Sequence, residues 1–172
     1  MAEMCDIIFA IVGFPKDVET VFLGSNGIVE KAKPGSIIVD MTTSTPDLAK
    51  KIASVAIKKG LHSLDAPVSG GDVGAKSGML SIMVGGKKEI FNRVLPLFEL
   101  MGSNVVYQGS AGSGQHTKMA NQIGIASSML AMCESLTYAT AAGLDQKTVI
   151  KSISSGAAGR WSLTNLAPRI LR

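Results

Sequence analysis

Four short stretches gather the residue types that chemistry needs. In Gly112-Ser113-Gly114-Gln115-His116-Thr117-Lys118-Met119-Ala120-Asn121, Lys118 and Asn121 stand three apart, which puts both on one face of a helix. The surroundings are rich in Ala and Met, where a buried lysine is costly. Desolvation would lower its pKa toward the range useful for proton transfer; the plain alternative is a lysine that snorkels to the surface. In Pro67-Val68-Ser69-Gly70-Gly71, paired glycines let backbone N–H donors approach a ligand closely, and such a nest suits a carboxylate. The same run also reads as a tight turn. Thr42-Thr43-Ser44-Thr45-Pro46 offers hydroxyls, of which Ser44 or Thr45 reads as a helix cap ahead of Pro46, leaving Thr43 to face a cofactor. The fourth stretch is Gly13-Phe14-Pro15-Lys16-Asp17.

The elements that must carry these stretches follow from hydrophobic pattern. Short apolar runs at residues 6–12, 36–41, 62–66 and 80–84 read as buried strands. Amphipathic helical stretches at 17–31 and 46–58 separate the first three. Residues 87–101 read as a further helix and 104–108 as a last strand. This alternation predicts an α/β fold with a doubly wound, Rossmann-type parallel sheet. The loops at Gly13 to Asp17, Thr42 to Pro46 and Pro67 to Gly71 then follow strand carboxyl ends, the edge where such sheets bind ligands. After Gly109 the strand signal stops. A long helix is expected over residues 114–142, with Gly143 as its C-terminal stop, a second from Asp145 to near Gly156, and a third over 160–172 interrupted by Pro168. The division expected is 1–111 for an α/β domain and 112–172 for a helical domain begun by the long helix. Trp161, beside Arg160, is expected to pack the last helices together.

Composition narrows the partners. Hydrophobic residues make up 46% against 17% charged, which excludes a disordered chain. The net charge of +4 comes from scattered lysines without interleaved aromatics, so nucleic acid is not expected. No apolar run reaches the roughly 18–20 residues that span a bilayer. Cys5 and Cys133 lack metal-ligand spacing and no signal segment opens the chain, which fits a reducing cytoplasm. His62 and His116 read as packing residues, and no metal site is expected.

Two of the motifs, in this order, resemble the signatures of the beta-hydroxyacid dehydrogenase family. Asp65-Ala66-Pro67-Val68-Ser69-Gly70-Gly71 is similar to its substrate-binding segment, and Gly-x-Gly-x-x-x-Lys-x-x-Asn at Gly112 to Asn121 to its catalytic one. Relatives of this kind include 3-hydroxyisobutyrate dehydrogenase and the tartronate semialdehyde and glyoxylate reductases. The resemblance implies NAD or NADP as cofactor and a small hydroxy acid or semialdehyde as substrate. Lys118 would be the general acid/base; Ser69, Gly70, Gly71 and Asn121 would hold substrate; Phe14, Pro15, Glu19 and Thr43 would line the cofactor. A homo-oligomer is expected. The family opens with a strand and a Gly-x-Gly-x-x-Gly turn for the pyrophosphate, and no such turn occurs in these residues. The chain therefore reads as truncated at both ends, its first βαβ unit and closing helices missing. An inactive fragment, a non-catalytic cofactor-binding module and an imine reductase stay open as alternatives, with Lys118 speaking against the last two.

Overall fold

The computed structural model describes residues 2–171. Strands β1 (Ile7–Ala10), β2 (Ile37–Asp40) and β3 (His62–Asp65) pair in parallel, in register Ile7 to Ile37 and Ile37 to His62. Helices α1 (Pro15–Leu23), α2 (Ile28–Lys31) and α3 (Pro46–Lys58) connect them. After β3 come β4 (Val68–Ser69), α4 (Gly71–Lys76), β5 (Ser81–Gly86), α5 (Lys88–Phe98) and β6 (Asn104–Gly109). Two apolar layers sandwich the sheet. Val18, Phe22, Ile52 and Ala56 of α1 and α3 close on one face, and Ile90, Phe91, Val94 and Phe98 of α5 on the other.

The α/β sheet is as the sequence reading expects, with one difference in direction. β5 runs antiparallel to β3 and to β4, while β6 runs parallel to β5, so the sheet is mixed. The cause lies in residues 66–80. They do not cross the sheet face as a long helix would; β4 folds straight back along β5, with the short α4 between them. Gly70 at φ +132 and Gly71 at φ +63 make that reversal, in conformations that a side chain would strain. The expected helix over 17–31 is two helices. Asn26 sits at φ +64, and the Asn26 N–H donates to Glu30 Oε2 at 2.7 Å, so residues 24–27 turn instead of continuing the helix.

The long helix α6 is Ser113–Ala141, followed by α7 (Gln146–Ile153), α8 (Trp161–Asn165) and α9 (Ala167–Ile170). The chain divides into two compact units, one running through Met119 and one from Ala120 onward. In the second, Met132 and Leu136 of α6 bury against Leu163 and Ala167, with Ile150 and Ile153 of α7 alongside. Trp161 does not pack these helices: it is 63% exposed. Leu163, two residues on, takes the core place instead. The expected helix over 160–172 is broken at Leu166, ahead of Pro168 in the first turn of α9; Arg172 lies outside the described residues. Among the described residues, no helix is long and apolar enough to cross a membrane.

Candidate active site

The carboxyl ends of β2 and β3 each finish on a buried aspartate, Asp40 and Asp65, neighbours in the sheet register. A buried carboxylate needs N–H partners, and both have them. Asp65 acts as a cap supplied from elsewhere in the chain. The Gly112 N–H donates to its Oδ1 at 2.8 Å and the Gln115 N–H to its Oδ2 at 3.0 Å, fastening the first turn of α6 to the end of β3. Negative charge at a helix N-terminus is also favoured by the helix dipole. Burial is the largest influence on both carboxyls and raises their pKa values; hydrogen bonds from Thr42 to Asp40, and from Gly112 and Gln115 to Asp65, oppose it.

The glycines of the motif serve close approach. A Cβ on Gly114 would run into the Met83 carbonyl oxygen and stand 2.7 Å from that of Asp65; one on Gly85 would stand 2.6 Å from Asp65 Oδ1 and 2.8 Å from the Gly114 nitrogen. The start of α6 therefore lies backbone to backbone on β3 and β5.

Gln115 is fully buried, and its amide joins this helix turn to the loop after β2. The Ser44 N–H donates to its Oε1 at 2.9 Å, and its Nε2 donates to the Thr42 carbonyl at 2.8 Å. The Thr42 N–H donates in turn to Asp40 Oδ1, and the Val12 N–H to Thr42 Oγ1, which draws in the loop after β1. Between the two clamped backbone groups the Thr43 side chain is exposed. Thr45 caps α3 by accepting from the Leu48 N–H at 3.3 Å. The Ser44 hydroxyl and Asp40 Oδ2 are buried without a partner among the described residues.

Lys118, one helical turn beyond Gln115, is 7% exposed, and burial lowers its pKa. No carboxylate pairs with it among the described residues. A lysine there has a smaller preference for its charged form than one in water. His116 points outward and is exposed.

The remaining expected site residues are spread around this centre. Phe14, two residues past Val12, is 73% exposed at the N-terminus of α1, and Pro15 opens that helix. Ser69 pairs with Ser81, while Asp65 pairs with Gly85. The Ser69-Gly70-Gly71 turn thus stands four strand residues, roughly 13 Å, from the Asp65 end. Glu19 stands one turn into α1, where Lys51 of α3 reaches it at 2.6 Å. Asn121 belongs to the second unit, where its Nδ2 donates to Gln122 Oε1. The sequence reading passed over Asp40, Asp65 and Gln115. An acid ending each of two apolar strands, and a glutamine one turn before the lysine, were the available signals.

The chain matches known proteins along both of its parts. Residues 1–109 match the NAD binding domain of 6-phosphogluconate dehydrogenase, and residues 112–172 match the family described as NAD-binding of NADP-dependent 3-hydroxyisobutyrate dehydrogenase. The chain is 58% identical, over its whole length, to 60% of an uncharacterized oxidoreductase of Bacillus subtilis, YkwC. It is 44% identical, again over its whole length, to 59% of the 2-hydroxy-3-oxopropionate reductase of Escherichia coli. Among solved structures, 3-hydroxyisobutyrate dehydrogenase from Salmonella typhimurium superimposes on 99% of the chain with a TM-score of 0.89 at 27% identity, the match covering 59% of that protein. The chain thus spans about three fifths of the length of these relatives. Matched by family along both its α/β and its helical part, and by close relatives from end to end, it belongs to the beta-hydroxyacid dehydrogenase family, the family of 3-hydroxyisobutyrate dehydrogenase.

Proposed function

We propose that this chain carries the acid/base and substrate side of an oxidoreductase that transfers a hydride between NAD or NADP and a small 3-hydroxy acid or its semialdehyde. The observation that carries this reading is Lys118, buried without a carboxylate partner among the described residues, on a helix turn bonded to the end of β3 and to the loop after β2. In the oxidising direction its neutral amine accepts the hydroxyl proton as the carbonyl forms. In the reducing direction its ammonium returns that proton to the developing alkoxide. Ser69, Gly70 and Gly71 hold the substrate carboxylate through backbone N–H groups, and Asn121, by its place in the motif, orients the substrate.

Phe14, Pro15 and Thr43 fit the cofactor. Thr43 is free between two clamped backbone groups, and the Phe14 ring is open to solvent at the neighbouring loop. The nicotinamide, when bound, supplies the hydride acceptor and donor. Glu19, one turn beyond Pro15 and ion-paired with Lys51, belongs to the same reading as a residue lining the cofactor. A homo-oligomer belongs to the reading because Ile123, Leu130 and Tyr138 of α6 are 70%, 62% and 75% exposed, and light scattering tests it. A cytoplasmic setting fits the two free cysteines.

The decisive experiment is kinetic, on the full-length enzyme. Lys118→Ala is expected to lower kcat by about 10²–10⁴-fold with nucleotide affinity nearly unchanged. Lys118→Arg keeps the charge but stays protonated, so it fails as a base as well. In the oxidising direction kcat should climb with pH through an ionisation set below the ordinary lysine range, as burial requires. A Lys118→Ala enzyme within about threefold of its parent would reject the assignment.

A further inference from the structure

We infer that Gln115 is a positioning residue, the side chain that sets the loop carrying Thr43 at a fixed place relative to Lys118. Three observations carry the inference. Gln115 is 0% exposed, and its backbone N–H is fixed to Asp65 Oδ2 at 3.0 Å. Both ends of its amide are used, each on the backbone of a residue flanking Thr43. Lys118 follows three positions later, on the same helix face. The path from Thr43 to Lys118 therefore runs through one planar side chain and one helical turn, with no flexible element between.

The chemistry of the side chain supports a positioning role over simple filling. A carboxamide presents a donor and an acceptor side by side in one plane, and it meets the carbonyl of Thr42 and the N–H of Ser44 as a neighbouring peptide would. Leucine or methionine would fill similar space without the cost of burying a polar group. A loop held in this way is ordered before any ligand arrives, so ligand binding does not bear that cost. The identity of the groups being positioned, Thr43 at the cofactor and Lys118 at the substrate, rests on the proposed function; the clamp itself does not.

The test uses Gln115→Ala and Gln115→Glu in the full-length enzyme, with hydrogen exchange, NADPH fluorescence titration and kinetics. In Gln115→Ala, exchange over residues 42–45 should accelerate while β2, β3 and β5 keep their protection, and NADPH affinity should weaken about tenfold, as the loss of one or two buried hydrogen bonds implies. Gln115→Glu is the sharper variant. The titratable groups of the elements meeting here include Asp40 at the end of β2, Asp65 at the end of β3, Lys50 of α3 beside Gly112, and His116 and Lys118 on α6. A buried acid beside the two aspartates holds its proton to higher pH. While protonated it can still donate to the Thr42 carbonyl, and once ionised it cannot. Its NADPH affinity should thus match the parent at low pH and fall as pH rises, through an ionisation that the parent lacks. Unchanged exchange at residues 42–45 in Gln115→Ala would overturn the inference, and so would protection lost across the whole sheet, which would mark a core residue. An affinity equally weak at every pH in Gln115→Glu would also overturn it. If the parent enzyme turned over no hydroxy acid, the acid/base reading would fail, and the exchange experiment would still decide the clamp.

Discussion

The helix α6 is built in two ways. Its first turns, through Lys118, are seated on the sheet by glycine-to-backbone contacts and by a carboxylate and an amide with almost every polar atom matched. From Ala120 onward, in the second unit, its polar side chains mostly turn back on the helix itself: Ser135, Thr137 and Thr140 donate to the carbonyls four residues before them. Only Met132, Leu136 and Ala139 of this stretch are buried. The first part is fixed by hydrogen-bond direction, the second by apolar area, which has no direction. Lys118 stands in the part held by the first method.

Two glycines of this one helix should respond to alanine with opposite signs. Gly114→Ala forces a methyl group against two carbonyl oxygens that belong to backbone, and it should cost about 3 kcal/mol or more, or prevent native folding. Urea unfolding of the full-length enzyme measures it, and a loss under about 1 kcal/mol would show that the sheet contact can open. Next in size is Asp65→Asn. The amide keeps one acceptor for two N–H donors, leaving one buried donor unpaired at a cost of about 2 kcal/mol. The same variant should alter the pH dependence of stability. A carboxyl whose pKa is raised in the folded state binds more protons folded than unfolded. Its contribution is fully present below the ordinary carboxylate range and is lost as pH rises through the raised value. Burial raises Asp65 in that direction, so Asp65→Asn should flatten the fall in stability on that side, as thermal melts across pH would record. The smallest effect is at Gly124, where an added Cβ meets nothing within 4 Å. Gly124→Ala should stabilise by about 0.5–1 kcal/mol, and a destabilisation would mean that this part of α6 is closely covered.

Much of this fold is legible in the sequence because periodicity and capping are local. Thr45 and Pro46 start α3 where the hydroxyl followed by proline says it should start, and the apolar runs before Asp40 and Asp65 form strands. Direction is not local: nothing in the pattern at Ser81–Gly86 says that β5 runs against β3, since alternation reads the same both ways. The break in the 17–31 stretch depended on Asn26 taking a left-handed conformation, which its neighbours do not announce. Lys118 stood out because a lysine in an apolar segment is costly. Gln115 and Asp65 did not, because their partners lie far along the chain and become visible only in three dimensions. The spacing Gly112-x-Gly114 was readable as a motif, but its reason, room for two carbonyl oxygens, was not.

The long reach of these bonds has a consequence for synthesis. Gln115 meets Ser44 and Thr42 across 71 and 73 residues, and Asp65 meets Gly112 and Gln115 across 47 and 50. Chains are made at roughly 5–20 residues per second, so the loop after β2 leaves the ribosome about 4–14 s before the residue that clamps it. For that interval β1, β2 and β3 can pair while the Thr42 to Ser44 backbone and both aspartates remain hydrated. The locked loop is a late product of translation, and a chain halted before Gly112 would carry a formed sheet edge whose loop is still loose.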